Sequence, residues 1–186
     1  MQNRISTWET FKGLIQTPEL PDIGPTPRAS RLPSTALNRK VEGFVQETKL
    51  SPALQPLVRS AALLWHDYLD ESHAISQDIH NTDGSFLHGI MHRREPDYSN
   101  AKYWFHRAGE HVCFPEIAKQ VTRLLDSKRE KDLRSRLAPR GDWDACAFVD
   151  LCQEQAGRPS SDHRVQTLKA IQEIEFDSLL AHLLAG

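Results

Sequence analysis

This sequence has few cysteines, no long apolar runs and no large excess of charge of either sign. Three cysteines without a C-x-x-C pair argue against a disulfide framework or a thiolate metal cage. No apolar run approaches the roughly eighteen residues that a membrane-spanning helix requires. The formal net charge of -2 gives no strong field for attracting nucleic acid or a charged membrane surface. We therefore expect a cytoplasmic protein without a nucleic-acid or membrane partner.

The period-two alternation of apolar and polar residues that marks β-strands is also lacking. From Ser34 onward, apolar residues recur every three or four positions, which is typical of helices. The sequence predicts one all-α domain of packed helical hairpins over 34–186. The pair Ser51-Pro52 predicts the start of a long central helix that ends near Asn81 and Gly84. Further helices are predicted over 86–95, 98–109, 115–137, 142–155 and 162–184.

Proline, in contrast, is concentrated near the N-terminus, with five prolines from Pro18 to Pro33. Such a stretch cannot propagate the hydrogen bonds of a helix or a sheet, so it predicts an extended connector. A short amphipathic helix precedes it, with a hydroxyl cap at Ser6-Thr7. Residues 1–33 are thus predicted to form an N-terminal proline-rich arm. The sequence leaves open whether this arm wraps over its own core or over a neighbouring subunit.

Histidine is the residue type with the clearest chemical pattern, because seven of the nine histidines lie between Trp65 and His111. On a helix, His88, His92 and Glu95 share one face because they are four and three residues apart. Two imidazoles one turn apart and a carboxylate one turn further suit zinc, iron or manganese. The predicted long helix carries a second polar stripe of His66, Asp70, His73, Gln77 and His80.

A short link at 82–84 would make these two helices antiparallel neighbours and would place the two polar stripes face to face. The sequence therefore predicts a histidine-rich pocket that holds a divalent metal. The predicted metal ligands are His66, Asp70, His88 and His92, and the predicted catalytic groups are His73 and Glu95. Two alternatives stay open, namely that the stripes form a solvated polar face and that the histidines are hydrogen-bonded core residues.

Basic and aromatic residues follow the second stripe along the chain. Guanidinium groups beside histidine and tyrosine are suited to hold a small anionic ligand. The predicted ligand-binding residues are Arg93, Arg94, Tyr98, Lys102 and Tyr103. The alternative is that Arg93 and Arg94 form ion pairs with neighbouring acids and fix the turn at Pro96.

Two stretches resemble known proteins. The segment Trp65-His66-Asp67, together with HRREPDY at 92–98 and NAKYWF at 100–105, resembles a group of uncharacterised bacterial and fungal all-α proteins over 63–109. This resemblance implies no particular activity. The segment 96–109 also resembles the first helix of a tetratricopeptide or Sel1-like repeat, which implies helix-to-helix packing through its aromatic residues.

Two classes of function follow from these patterns. The first is a divalent-metal-dependent hydrolase that acts on a small anionic substrate, because a bound metal lowers the pKa of water. The second is a non-catalytic helical module that recognises a peptide or a small ligand. The last helix carries a long apolar side, and its exposure in the monomer would make the protein a homodimer.

Overall fold

The structure is a computed structural model that describes residues 7–185. Within this range the chain forms ten α-helices and no β-strand, which confirms the all-α prediction. No helix in the described range is both long enough and apolar enough to cross a membrane. The predicted cap at Ser6 lies outside the described residues, as does Gly186 at the end of the predicted domain.

The helices follow one another closely along the chain, and a single 3-10 turn at Pro139–Gly141 lies between the eighth and the ninth. Their bounds are α1 Thr7–Ile15, α2 Ser34–Thr48, α3 Gln55–Trp65, α4 Leu69–Ser76, α5 Thr82–Arg94, α6 Tyr98–Ala108, α7 Phe114–Lys128, α8 Lys131–Leu137, α9 Ala145–Glu154 and α10 His163–Leu183. The hairpin of α5 and α6 is the most closely packed pair, and α5 also packs against α3 and α4.

Helix α5 lies at the centre of the fold, and all of its residues from Gly84 to Arg94 are buried. Gly89 allows the close approach of α6, because a Cβ atom there would lie 3.1 Å from the ring of Phe105. The polar side chains of α5 therefore cannot form a solvated face. Each of these side chains must pair with another group of the protein or bind a ligand.

The prediction of one long central helix is wrong. Helix α3 ends at Trp65, and α4 begins at Leu69 after a turn in which Asp67 has a φ of 64°. The carboxylate of Asp67 accepts hydrogen bonds from Arg28 and Arg94, which hold this residue in the left-handed region. The turn folds α4 back against α3, so the polar residues before and after it do not share one stripe.

The helix predicted over 115–137 is also divided in two. Arg129 has a φ of 59° and ends α7, and its backbone N–H donates to the carbonyl of Asp126. The N–H of Glu130 donates to the carbonyl of Leu125, so the two bonds together close the last turn of α7. Helix α8 then starts in a new direction.

The described part of the N-terminal arm, residues 7–33, docks on its own chain. Phe11 and Ile15 of α1 are part of the hydrophobic core, and Lys12 pairs with Asp177 of α10 at 2.5 Å. The side-chain amide of Gln172 donates to two carbonyl groups of the proline-rich stretch. The division predicted at residue 33 is therefore not a break in the packing.

The apolar side of α10 is also covered within the chain. Ile171, Phe176 and Leu179 are each at most 1% exposed. The homodimer prediction therefore loses the exposed stripe on which it depended, and it stays a prediction without structural support.

Candidate metal centre

Three imidazoles meet where α4 crosses α5. One ring nitrogen from each of His73, His88 and His92 lies within 4.8 Å of the other two. The rings of His88 and His92 stack with their centroids 4.7 Å apart, because the two residues are one helical turn apart. His73 meets both rings edge-on, at 4.8 Å and 5.0 Å between centroids. The two predicted polar stripes thus do meet, but only at His73.

Burial keeps two of these imidazoles neutral. His88 is 2% exposed and His92 is 5% exposed. Burial and the neighbouring imidazoles lower the pKa of His88 to about 3 and the pKa of His92 to about 4. At neutral pH each ring therefore keeps a lone pair on one nitrogen, which is the form that binds a metal.

Several buried polar atoms of the described residues have no partner, and His88 is the histidine among them whose two ring nitrogens are both unpaired. Neither of its ring nitrogens has a hydrogen-bond partner among the described residues. An unsatisfied buried donor or acceptor costs about 1–3 kcal/mol. The indole of Trp104 stacks on the ring at 4.0 Å between centroids and an interplanar angle of 8°. His88 is therefore held firmly in place while its nitrogens are left unsatisfied by the protein.

The polar groups around the three imidazoles are mainly acidic. A carboxylate oxygen of Glu95 lies 3.2 Å from Nδ1 of His92. Burial raises the pKa of Glu95. The charge of His73 lowers this pKa, and the charges of Asp70 and Asp97 raise it. Asp70 itself is exposed on α4 and lies outside the group of converging donor atoms. Asp70 is therefore a nearby negative charge and not one of the converging groups, in contrast to its prediction as a metal ligand.

The donor set fits a divalent transition metal such as zinc, because imidazole nitrogen suits zinc, iron and copper better than magnesium or calcium. In a tetrahedral zinc site with bonds of about 2.1 Å, the ligand nitrogens are roughly 3.4 Å apart. The nitrogens here are up to 4.8 Å apart, so binding requires ring rotations that draw them together. Three protein ligands leave a fourth position open, as in catalytic rather than structural zinc sites.

His66 lies outside this group of converging imidazoles, contrary to the prediction that it shares a metal site with His88 and His92. Its Nδ1 accepts a hydrogen bond from the backbone N–H of Leu32 in the arm, at 3.1 Å. Burial and the positive charge of Arg28 lower the pKa of His66 to about 4. The turn at Asp67 is the cause, because it separates His66 from the face of α4 that carries His73.

Arg93 and Arg94 do not bind an external anion in this fold, which corrects a second prediction. Both side chains are fully buried. Arg93 pairs with Glu175 at 2.6 Å, and Arg94 pairs with Asp67 at 2.6 Å. The alternative of ion pairing is therefore the right one, but the partners are distant in sequence rather than the neighbouring acids.

The remaining predicted ligand-binding residues all lie on α6. Lys102 pairs with Asp150 of α9 at 2.5 Å, which directs it away from α5. Tyr103 is 52% exposed, and Tyr98 is half-buried. Within the described residues, none of the three forms a hydrogen bond, ion pair or ring contact with the imidazoles.

Sequence reasoning missed two side chains of α6 that do contact the imidazoles. The side-chain Nδ2 of Asn100 lies 3.1 Å from Nε2 of His92, and Trp104 stacks on His88. The spacing of four residues between Asn100 and Trp104 puts both on one face of α6. That spacing is a signal in the sequence, but the sequence alone does not show that this face packs against α5.

His73, His88 and His92 are the one group of potential metal ligands that the fold brings together within residues 7–185. No protein-family model, curated protein or solved structure matches this chain. The functional argument therefore depends on the geometry and the chemistry of these three imidazoles.

Proposed function

We propose that the protein binds a divalent transition metal through His73, His88 and His92 and uses the metal for hydrolysis. The observation that carries this proposal is the buried ring of His88, whose two nitrogens have no partner among the described residues. Two further imidazoles lie against it. A metal ion would satisfy the unpaired nitrogen and would offset the cost of burying it.

The proposed chemistry is activation of water. A divalent metal at such a site lowers the pKa of bound water to about 7. His73 is the most exposed of the three proposed ligands, so water and substrate would reach a bound metal from its side. His73 was predicted as a catalytic group, and in this proposal it is a third ligand instead.

The charges around the centre favour a neutral or cationic substrate over an anionic one. Asp70, Glu95 and Asp97 act on the site electrostatically. The nearby cations are neutralised, because Arg93 and Arg94 are paired in the core and Lys102 pairs with Asp150. Apart from the metal ion itself, the site provides no unpaired cation within the described residues for the anionic substrate that the sequence predicts.

A non-catalytic protein that retains the metal is the second candidate function, and it differs from the module recognising a peptide or small ligand that the sequence predicts as an alternative. The observation that favours it is the enclosure of His88 between the rings of Trp104 and His92. The apolar shell around a metal site controls the access of solvent, so this cover favours retention of an ion over turnover. The two candidates share the metal, so hydrolysis is the property that separates them.

The first test is the metal content of protein purified without a histidine tag or chelator. We expect about one zinc, iron or manganese ion per chain, and strong depletion in H73A, H88A and H92A. The matched control is H80A, which removes an exposed histidine from the segment after α4 and should retain the metal. A wild-type protein that binds no metal even after incubation with zinc would contradict the proposal.

The second test separates the enzyme from the binding module. The zinc-loaded protein is assayed with a neutral ester, p-nitrophenyl acetate, and with an anionic one, p-nitrophenyl phosphate. Hydrolysis of the neutral ester that H88A abolishes and H80A leaves unchanged supports the hydrolase. Stoichiometric metal without hydrolysis of either ester supports the non-catalytic module.

A further inference from the structure

A cavity of about 570 Å³ lies between α10, the proline-rich arm and the loop that leads into α10. On the arm side its lining includes Glu19, Asp22 and Arg28, and on the other side it includes Ser160 and Lys169. Its volume lies in the range of about 300–1,000 Å³ that is usual for the sites of small ligands. None of the three proposed metal ligands lines this cavity, so it is separate from the candidate metal centre.

Hydrogen bonds hold the arm side of this cavity in place. The side-chain amide of Gln172 on α10 donates to the carbonyl groups of Pro21 and Asp22, at 3.3 Å and 3.1 Å. Nε of Arg28 donates to the carboxylate of Asp67 at 2.8 Å, which anchors the arm on the turn between α3 and α4. The arm is thus fixed at two places, so the cavity is part of the folded structure.

Lys169 brings a buried positive charge to this cavity. The residue is 6% exposed, and its Nζ donates to Oγ of Ser160 at 3.0 Å. The buried arginines, Arg93 and Arg94, each form an ion pair with a buried carboxylate. Lys169 forms no ion pair within the described residues. A buried charge is costly unless it is paired, and an ammonium group has three N–H donors, so Lys169 retains capacity for an anionic group.

The arm side of the cavity carries negative charge. Asp22 is half-buried, and its Oδ1 accepts the backbone N–H of Ile23 at 2.7 Å, while Glu19 is exposed. Neither carboxylate forms an ion pair among the residues that the structure describes. The remaining cation of the lining, Arg28, is already paired with Asp67. The cavity therefore presents a buried positive charge on one side and unpaired negative charge on the other.

We infer that this cavity binds a small zwitterion, such as a free α-amino acid, with the carboxylate on Lys169 and the ammonium group on Asp22. The hydroxyl of Ser160 lies beside Nζ of Lys169 and is a second donor for the carboxylate. A simple anion fits less well, because the carboxylates of the arm repel it, and a simple cation would lie beside Lys169. This inference does not depend on the proposed metal.

The ligand test uses the full-length protein and a panel of the common amino acids, with thermal denaturation as the readout. A ligand that binds only the folded state raises the melting temperature. The matched probes are acetate, which carries only a carboxylate, methylamine, which carries only an ammonium group, and inorganic phosphate. We expect at least one amino acid to raise the melting temperature more than these three probes do at the same concentration. An equal shift from acetate or phosphate, or no shift from any amino acid, would overturn the inference.

Variants assign the shift to this cavity and not to the proposed metal. K169M keeps the apolar stem of the side chain and removes its charge, and D22N keeps the shape of the carboxylate. We expect each to weaken amino-acid binding, measured by titration calorimetry, by about 10- to 100-fold, the usual effect of losing a hydrogen bond to a charged group. The control is K128M, because Lys128 is exposed at the end of α7 and does not line the cavity. Wild-type affinity in K169M, or an equal loss in K128M, would contradict the assignment.

The stability of the ligand-free protein separates binding from a structural role of Lys169. A lysine that is buried without a carboxylate partner costs free energy when no ligand is bound. We therefore expect the urea midpoint of ligand-free K169M to be at least as high as that of the wild type, and the added amino acid to raise only the wild-type midpoint. A midpoint that falls clearly in ligand-free K169M would make Lys169 a structural residue and would sink the inference.

Discussion

A histidine cluster lies near each end of helix α5, and the two clusters differ in what their nitrogens contact. Near the N-terminal end, Asp83 lies 3.0 Å from Nε2 of His111 and 3.2 Å from Nε2 of His182. The other nitrogen of His111 accepts the backbone N–H of Cys113. Near the C-terminal end, the imidazole of His88 stacks on the rings of His92 and Trp104, and its nitrogens have no hydrogen-bond partner among the described residues.

The two clusters differ in the partners of their nitrogens, and the proposed metal site is the cluster in which partners are lacking. The hydrogen bond from His111 and the charge of His182 lower the pKa of Asp83, although burial opposes them. The first cluster thus ties α5 to α10 and to the loop after α6, and its bonding capacity is used within the protein. The second cluster keeps unused lone pairs inside the core, which is the condition for binding a metal.

The buried arginines of α5 each have a buried carboxylate partner, and removing one such partner should produce the largest change in stability. Replacing Glu175 with alanine leaves the guanidinium of Arg93 unpaired in the core. We expect E175A to lower the free energy of unfolding by about 3–5 kcal/mol, measured by urea denaturation. The control is E173A, which removes a partly exposed partner of Lys12 and should cost less than about 1 kcal/mol. Equal effects of the two variants would contradict the structural role of the buried pair.

Removing the shared carboxylate of the first cluster should have an intermediate effect. D83A deprives His111 and His182 of their acceptor. We expect a loss of about 1.5–3 kcal/mol in the free energy of unfolding, the usual value for hydrogen bonds to a charged group. The zinc content should stay at the wild-type level, because Asp83 lies at the other end of α5. A D83A protein that is as stable as the wild type, or that has lost its zinc, would show that the two clusters are not distinct in role.

The second cluster should make the metal-free protein sensitive to acid. The folded-state pKa of His88 is lowered to about 3, so between pH 6.5 and pH 3 the unfolded chain binds a proton that the folded chain does not. The contribution of this group to the free energy of unfolding is therefore fully present above pH 6.5. Below pH 6.5 the free energy of unfolding falls by about 1.4 kcal/mol per pH unit for this one group. His92 and His66 contribute similarly to the dependence of the free energy of unfolding on pH. H88Q should therefore reduce the total slope by the contribution of one proton, about 1.4 kcal/mol per pH unit. An unchanged slope in H88Q would mean that His88 is protonated in the folded protein.

Features that depend on local spacing could be predicted from the sequence. The helical pattern after Ser34 and the i, i+4 pair of His88 and His92 both follow from the order of residues along one helix. The break at Asp67 could not be predicted, because Arg28 and Arg94 hold this residue in its conformation from distant parts of the chain. A capped continuous helix was the natural expectation without those contacts.

The residues of the candidate site could likewise be predicted only in part from the sequence. The spacing identifies His88 and His92, but the choice between His66 and His73 as the third imidazole depends on how α4 packs. The predicted anion-binding role of Arg93 and Arg94 failed because Glu175 lies about eighty residues further along the chain. Trp104 and Asn100 were missed because only the packed hairpin of α5 and α6 shows which face of α6 meets the imidazoles.

The most direct test of this account compares the zinc content of H88A and H182A after reconstitution and removal of free metal. His182 is the exposed member of the partnered cluster, so its loss should leave about one zinc ion per chain, as in the wild type. H88A removes the unpartnered ring and should retain almost no zinc. Equal zinc in H88A and the wild type, or equal loss in both variants, would contradict the claim that the cluster of His73, His88 and His92 is the metal centre.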